Sequence, residues 1–278
     1  MTVREGAWPP GAPAWVSLST PDVGAATGFY GDLLGWGFHR GTTPDGRTYL
    51  TAVVGGLAVA GIGQSTEPDA PAQWTVFLAA DDAAATADAA AEAGGEVLVE
   101  TAAMPGSGTA ALLADPTGAV VGVWQAGEHP GLQLTDAAGA LLWCELVTPD
   151  LGRAQEFFGD VFGLSFAPQA GLSTPYVTAH TAEGPAMGLG EPDPDIGWDG
   201  TPHWLVYLAH PDVDAAVEVA LAHGGRAEGD PFDSPFGRVV VLRGPSGERL
   251  ALMTPEGSAA QPDAQQDAPP TGSSPSSR

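Results

Sequence analysis

The chain has 278 residues, with 34 acidic side chains against nine basic ones, all arginine, and a formal charge of -25. A chain this negative repels nucleic-acid phosphates and anionic lipid headgroups, so we expect neither nucleic acid nor a membrane as a partner. The absence of lysine excludes Schiff-base chemistry and the lysine of a phosphate-binding loop. The single cysteine, Cys144, excludes an internal disulfide framework and a multi-thiolate metal site.

Length and apolar runs set further expectations. At about 100 to 200 residues per domain, the length predicts two domains. The N-terminus lacks the apolar stretch of a secretory signal, and no run approaches the ~18 apolar residues of a membrane span. We therefore expect a soluble, cytoplasmic protein, as a monomer or homodimer.

The first half reads as two strand–helix–strand–strand–strand units. An apolar strand over 15–19 precedes a helix, for which Thr20 is the expected N-cap and Gly35 the end. Period-2 patterns and turn signals such as Pro44-Asp45-Gly46 predict the next strands at 36–39, 49–54 and 57–62. The second unit is predicted as a strand at 74–79, an alanine-rich helix at 82–93, and strands at 96–101, 109–114 and 119–125.

The second half repeats the first. The segment AWVSLSTPD at 14–22 matches LWCELVTPD at 142–150, and FYGD at 29–32 matches FFGD at 157–160, both at a displacement of 128. Further matches occur at displacements of 127 to 130, including Tyr49 with Tyr176, Trp74 with Trp204 and Pro116 with Pro245. So constant an offset predicts tandem homologous domains, each with two βαβββ units.

The composition predicts where these domains begin and end. We place the first domain at 13–126, a linker at 127–140, the second domain at 141–254 and a tail at 255–278. The tail is rich in Pro, Ser, Gln, Gly and Asp and has almost nothing to bury, so we expect it to be disordered. We expect no chemistry in the linker or in the tail.

Three motifs in order resemble one known family. A Thr-Pro-Asp after the first strand, a Phe-Tyr-Gly or Phe-Phe-Gly in the helix and an Asp-Pro-x-Gly hairpin resemble the vicinal oxygen chelate superfamily. That superfamily includes glyoxalase I, bleomycin-resistance proteins and extradiol dioxygenases, and the likeness is to its two-domain actinobacterial glyoxalase-like branch. The resemblance implies an α+β fold of tandem domains, in which paired βαβββ units form a cupped mixed sheet. Active members of the family hold a divalent metal at the floor of the cup.

The resemblance also indicates where metal ligands would lie, on the first strand of each unit and on the final strand. In this sequence those positions are Ser17, approximately Thr75 and Gly122 in the first domain, and Glu145, approximately Leu205 and Ala251 in the second. Only Glu145 would be a good ligand, so we expect no metal and no other cofactor. A rearranged site that joins Glu145 to His180 or His203 stays open as an alternative.

Aromatic side chains share the predicted inner face with these positions. Strand alternation places Trp15 with Ser17, and Trp143 with Glu145, on equivalent faces of the two domains. The other candidate pocket residues are Tyr49, Tyr176, His180, His203 and Tyr207. Aromatic walls with a few polar groups suit a planar or partly apolar small molecule, although the same residues could close an ordinary sheet core.

These observations favour a metal-independent protein that binds a small molecule, as in the bleomycin-resistance branch. The alternative is an enzyme, either a lyase or dioxygenase or a metal-free isomerase or hydrolase, with Glu145 as general base. A non-catalytic scaffold is a third possibility. Where the first domain has Ser17 and Val53, the second has Glu145 and His180. This asymmetry predicts that the second domain holds the more specific site.

Overall fold

The computed structural model describes residues 1–43, 45–67, 70–192 and 200–255. The tail expected to be disordered lies outside the described residues, except for Pro255. Within the described ranges, no helix combines the length and the apolar character needed to cross a membrane.

The first half builds one eight-stranded mixed sheet with two helices. After the short β1 (Thr2–Val3), the elements are β2 (Pro13–Thr20), α1 (Val23–Leu34), β3 (Gly37–Thr42), β4 (Thr48–Val54), β5 (Leu57–Gln64), β6 (Gln73–Ala79), α2 (Ala83–Glu92), β7 (Glu96–Met104), β8 (Gly108–Ala114) and β9 (Val120–Ala126). The strand order is β3-β4-β5-β2-β6-β9-β8-β7. The two βαβββ units therefore meet where β2 pairs antiparallel with β6.

The second half repeats this arrangement. Its elements are β10 (Leu134–Thr135), β11 (Leu141–Val147), α3 (Leu151–Phe162), β12 (Ser165–Pro168), β13 (Tyr176–Thr181), β14 (Gly184–Gly190), β15 (His203–Ala209), α4 (Val213–Ala222), β16 (Arg226–Ala227), β17 (Phe232–Ser234), β18 (Gly237–Arg243) and β19 (Arg249–Met253). The strand order is β12-β13-β14-β11-β15-β19-β18-β16, with β17 also paired to β18. Strand β10, inside the predicted linker, pairs with β1 and β11.

The repeat predicted tandem domains and the family resemblance implied an α+β fold of curled mixed sheets, and both are confirmed. One local prediction is wrong: the N-cap of α1 is Asp22, whose carboxylate accepts from the backbone N of Ala25 at 2.9 Å, and not Thr20. The Thr20 hydroxyl instead donates to Ser246 of the second half at 3.0 Å. The helix ends as expected at Gly35, which has a left-handed φ of 69° that favours glycine.

Alternate residues of the central strands face opposite sides of each sheet. On β2, Val16 and Leu18 are fully buried in the main core, whereas Ser17 between them keeps part of its surface exposed. The main core contains side chains of both halves, and the helices contact one another in the crossed pairs α1 with α4 and α2 with α3. The opposite, concave faces are called cup 1, the face that carries Ser17, and cup 2, the face that carries Glu145.

Candidate ligand site in the second cup

Both cups contain the same tryptophan–tyrosine pair. The indole N–H of Trp15 donates to the Tyr49 hydroxyl at 2.8 Å, and that of Trp143 donates to the Tyr176 hydroxyl at 2.9 Å. Each tyrosine hydroxyl lies directly against a glycine of the neighbouring strand. A Cβ added to Gly188 would lie 1.7 Å from the Tyr176 oxygen, so only glycine fits there. The same arrangement occurs in both copies, since the underlying strand has a glycine at the equivalent positions, Gly61 and Gly188.

Cup 1 is lined by neutral side chains that contact one another. The hydroxyls of Ser17 and Tyr49 are 3.4 Å apart, and the Phe77 ring lies so close to Gly122 that an added Cβ would be 2.1 Å from it. His129 packs edge-on against Trp15, with ring centroids 4.8 Å apart. Burial lowers the pKa of His129, which favours its neutral form.

His129 shows that the linker takes part in this cup. The sequence placed it in the connector, outside both domains, whereas the structure brings its ring to Trp15 and Trp124. The ring is held by its own chain, since its Nδ1 accepts from the backbone N of Gly131 at 3.0 Å. A residue of the predicted linker thus contacts Trp15, one of the candidate pocket residues.

Cup 2 contains a carboxylate where cup 1 is neutral. The Tyr207 hydroxyl donates to Oε1 of Glu145 at 2.8 Å. The positions of these two residues in the first copy are occupied by Ser17 and Phe77, so both members of the pair are specific to the second domain. Burial raises the pKa of Glu145, and the hydrogen bonds from Tyr207 and Tyr176 offset this only in part.

A second polar layer lies beside this carboxylate. Arg249 at the start of β19 has a side chain only 12% exposed, and its Nε donates to Glu228 at 2.6 Å. Its positive charge acts against the rise in the pKa of Glu145. Arg243 also pairs with Glu228, and Nη1 of Arg249 is 3.2 Å from Nε2 of His203.

Sequence reasoning missed these two arginines and Glu228, although a signal for one of them existed. At the displacement of 129 the repeat aligns Arg249 with Val120, the same kind of neutral-to-charged change that singled out Glu145. Arg249 lies on the final strand, away from the opening-strand position of Glu145 and from His180, the two changes that indicated the asymmetry of the domains.

The candidate residues thus fall into two separate groups. Trp15, Ser17 and Tyr49 meet in cup 1, while Trp143, Glu145, Tyr176 and Tyr207 meet in cup 2. His203 faces cup 2 on the same strand as Tyr207. His180 follows a bulge in β13, and among the described contacts none joins it to Glu145.

The residues present do not fit the divalent metal that the fold family implies. The strand register confirms that Ser17 lies opposite Thr75 and that Glu145 lies opposite Leu205. The last strands offer only Gly122 and Ala251, which have no donor atom. His203 has its Nδ1 against the carbonyl of Thr201 at 2.9 Å and its Nε2 against Arg249, so neither nitrogen points to Glu145. The described part of the chain contains no group of three His, Cys, Asp or Glu side chains that could hold a metal.

Comparisons with known proteins agree with this fold. The model of the Glyoxalase/Bleomycin resistance protein/Dioxygenase superfamily matches residues 12–123, and that of the bleomycin resistance protein-like N-terminal family matches 140–174. The anthracycline biosynthesis protein DnrV of Streptomyces peucetius is 36% identical over 262 residues, covering 88% of this chain and 93% of its own. CFP32 of Mycobacterium tuberculosis, which carries a glyoxylase name, is 37% identical over 257 residues, covering 88% and 95%.

Solved structures show the same fold at low identity. The Mn(II)-bound glyoxalase from Novosphingobium aromaticivorans has a TM-score of 0.62 at 17% identity, covering 88% of this chain and 82% of its own. The 2,3-dioxygenase LapB from Pseudomonas sp. KL28 has a TM-score of 0.56 at 16% identity, covering 90% and 92%. The similarity extends through both halves, and the chain belongs to the glyoxalase/bleomycin resistance protein/dioxygenase superfamily.

Proposed function

We propose that cup 2 binds a small, partly apolar or aromatic molecule without a metal, and that Glu145 anchors its polar group. The observation that carries this proposal is the carboxylate of Glu145 among aromatic rings, with the Tyr207 hydroxyl 2.8 Å away. Binding sites are commonly lined by apolar and aromatic side chains with a few oriented polar groups. All of the side chains in this proposal come from the second domain, so one chain is enough to form the site.

The chemistry of Glu145 defines what the ligand must supply. A carboxylate offers about four acceptor positions, and the phenols of Tyr207 and Tyr176 occupy two of them. A ligand hydroxyl or N–H can donate to another, while the rings of Trp143 and Tyr176 provide apolar contact. The Streptomyces peucetius relative is named for anthracycline biosynthesis, and anthracyclines contain fused aromatic rings, which supports an aromatic ligand.

A second candidate function is metal-free catalysis, as an isomerase or hydrolase with Glu145 as general base. It is favoured by the raised pKa of Glu145, because a base works best when its pKa lies near the working pH. A lyase or dioxygenase that needs a divalent metal has less support, since glycine and alanine stand at the ligand positions of the last strands.

The test begins with a thermal-shift screen of hydroxylated aromatic metabolites. A compound at 100 times its dissociation constant should stabilise the protein by about 2.7 kcal/mol. Hits are then titrated against Glu145→Gln and the matched first-domain variant Ser17→Ala. We expect about a tenfold or greater loss of affinity in Glu145→Gln and none in Ser17→Ala.

The outcomes separate the candidate functions. Loss of affinity in Ser17→Ala with unchanged affinity in Glu145→Gln would place the ligand in cup 1 and refute the proposal. Turnover of a hit by the wild type, abolished in Glu145→Gln while affinity is kept, would identify catalysis with Glu145 as the base.

A further inference from the structure

A small cavity lies where the N-terminal segment, the predicted linker and the first sheet meet. Its volume is about 130 Å³. Its walls contain two indole rings, Trp8 of the N-terminal segment and Trp124 of β9, together with Asp81 between β6 and α2, and Pro130 and several alanines complete them. We call it the seam cavity. It is separate from cup 2, because none of its lining residues comes from the second domain.

The two indole rings are held in place by the surrounding chain. Nε1 of Trp8 donates to the carbonyl of Leu132 in the linker at 3.0 Å, and the backbone N of Leu132 donates to the carbonyl of Ala14 at 2.7 Å. The ring of His129 packs edge-on against Trp124, with ring centroids 6.0 Å apart. The aromatic walls are therefore preorganised, which lowers the cost of binding a ligand between them.

The charge of the seam cavity is negative. Asp81 is exposed, and among the described residues no basic side chain forms an ion pair with it. The guanidinium of Arg4 lies over the Trp8 ring, 4.5 Å from its centroid, but Glu183 balances its charge at 2.8 Å. A net charge of -25 adds to the negative potential around the cavity. A cation is therefore the occupant that the charges favour.

The lining suits an organic cation better than a metal ion. Calcium takes about six to eight oxygen ligands, whereas Asp81 is the one carboxylate in the lining. The face of an indole ring attracts a cation, and aromatic walls are a common means of binding alkylated ammonium groups. The alanines and Pro130 offer apolar contact to the alkyl groups of such a cation. Drug-sized ligands need about 300 to 1,000 Å³, so the cavity has room only for a small group.

From this lining we propose that the seam cavity is a second binding site, for a small organic ammonium ion whose charge lies beside Asp81 and against the rings of Trp8 and Trp124. The second half of the chain has no counterpart of this site. At the displacements of the repeat, Asp81 aligns with Pro211 and Trp124 with Met253, which supply neither a carboxylate nor an aromatic ring.

The strand register supports this comparison of the two halves. In the first sheet Ala79 lies opposite Trp124, and in the second sheet Ala209 lies opposite Met253. The same place in the two sheets thus carries an indole ring in one copy and a thioether in the other. The negative, aromatic character of the cavity is a property of the first half alone.

A charged probe and its uncharged analogue test this proposal. Choline and 3,3-dimethylbutan-1-ol have the same shape, because a carbon atom replaces the nitrogen in the alcohol. Each is titrated into the nitrogen-15-labelled full chain, and the indole N–H signals are followed by NMR. The signals of Trp8, Trp124 and the cup 2 residue Trp143 are assigned from their Trp→Phe variants. We expect choline to shift the Trp8 and Trp124 signals to saturation, and the alcohol to bind at least about tenfold more weakly.

Two aspartate variants test the role of the carboxylate. Asp81→Asn removes the charge from the wall and should weaken choline binding about tenfold. Asp88→Asn is the matched control, because Asp88 is also exposed and its replacement changes the net charge equally, but it does not line the cavity. It should leave choline binding unchanged. Both aspartates are exposed, so we expect both variants to fold, which the NMR spectra report directly.

Each other outcome would overturn the proposal. Equal affinity for choline and the alcohol would show that the cavity selects shape and not charge. Unchanged affinity in Asp81→Asn, or an equal loss in Asp88→Asn, would show that Asp81 is not the anchor. A signal change confined to Trp143 would place choline in cup 2, and no saturable change would mean that the cavity binds no organic cation. The function proposed for cup 2 is tested through Glu145 and does not depend on these results.

Discussion

The hydroxyl of Tyr30 in α1 donates to Oε1 of Glu248 at 3.1 Å, which joins the first domain to the last hairpin of the second. Both side chains are buried, with 0% and 1% exposure, and Glu248 also accepts from the backbone N of Ser246 at 3.1 Å. The equivalent residues in the other copy are Phe158 and Ala119, which cannot make this contact.

The Glu248 carboxylate replaces a turn residue that the second domain has lost. In the first domain Asp115 of the Asp-Pro-x-Gly turn accepts from the backbone N of Thr117 at 2.8 Å. The second domain has Gly244 at that position, and a Cβ built there would lie 2.1 Å from Oε1 of Glu248. A carboxylate from four residues later thus fills the place of the missing aspartate and also reaches Tyr30.

The first prediction concerns the contact between the domains. Tyr30→Phe installs the residue of the sister copy and leaves the buried Glu248 carboxylate with one donor fewer. We expect it to lower the free energy of unfolding by about 1 to 3 kcal/mol, measured by urea denaturation at pH 7. Combining it with Glu248→Gln should give less than the sum of the two single effects, whereas additive effects would show that the two residues do not interact.

The second prediction concerns pH. Burial raises the pKa of Glu248 in the folded state, so the folded protein binds more protons than the unfolded chain at a pH above the ordinary glutamate pKa of about 4.3. Stability contributed by protonated Glu248 is therefore present at low pH and decreases as the pH rises toward the folded pKa.

Glu248→Gln tests this linkage because its amide does not titrate. We expect the free energy of unfolding of this variant to depend less on pH above about pH 4 than that of the wild type, measured by urea denaturation across the range. Glu145 contributes in the same direction, so the dependence should be reduced and not abolished. The exposed control Glu100→Gln should keep the full dependence. If the free energy of unfolding of Glu248→Gln changed with pH as steeply as that of the wild type, Glu248 would not be a source of the pH dependence.

Much of the fold could be predicted because the two halves of the sequence repeat and can be compared with each other. The repeat fixed both the number of units and the equivalence of Trp15 with Trp143, and the structure shows the same indole-to-tyrosine hydrogen bond in each copy. The alternation of side chains along β11 also predicted correctly that Trp143 and Glu145 lie on one face, since successive residues of a strand point to opposite faces.

Contacts between distant segments could not be predicted in this way. Nothing local in the sequence indicates that His129 reaches Trp15, because that contact depends on the path of the linker across the sheet. The same holds for Glu228, which lies between Arg243 and Arg249 only because β16 and β19 flank β18. The cap of α1 was missed since Thr20 and Asp22 both suit that role, and Thr20 is engaged by Ser246.

The third prediction concerns metal content. The donor set of both cups leads us to expect far less than one equivalent of any transition metal in protein purified without chelators and dialysed, measured by elemental analysis. Glu145 is the one family-equivalent position with a strong donor. Near-stoichiometric zinc, iron, manganese or nickel that is lost in Glu145→Ala would contradict the proposal of a metal-free site.

The fourth prediction concerns how cup 2 sets the ionisation of Glu145. Tyr207→Phe installs the residue that Phe77 provides in the first copy and removes the hydroxyl 2.8 Å from Oε1. A phenol that donates to a carboxylate stabilises its charged form, so its loss should raise the pKa of Glu145 above that of the wild type.

Carbon-13 NMR of labelled glutamate carboxyl groups can follow this titration, with the Glu145 signal assigned from Glu145→Gln. Tyr49→Phe is the matched control, because it removes a tyrosine hydroxyl from cup 1, where Ser17 replaces the carboxylate. It should leave the Glu145 titration unchanged. An unchanged pKa in Tyr207→Phe would mean that Tyr207 does not act on the carboxylate. A lowered pKa of Glu145 would mean that loss of the hydroxyl lets water reach the carboxylate. Burial alone would then explain why the pKa is raised in the wild type.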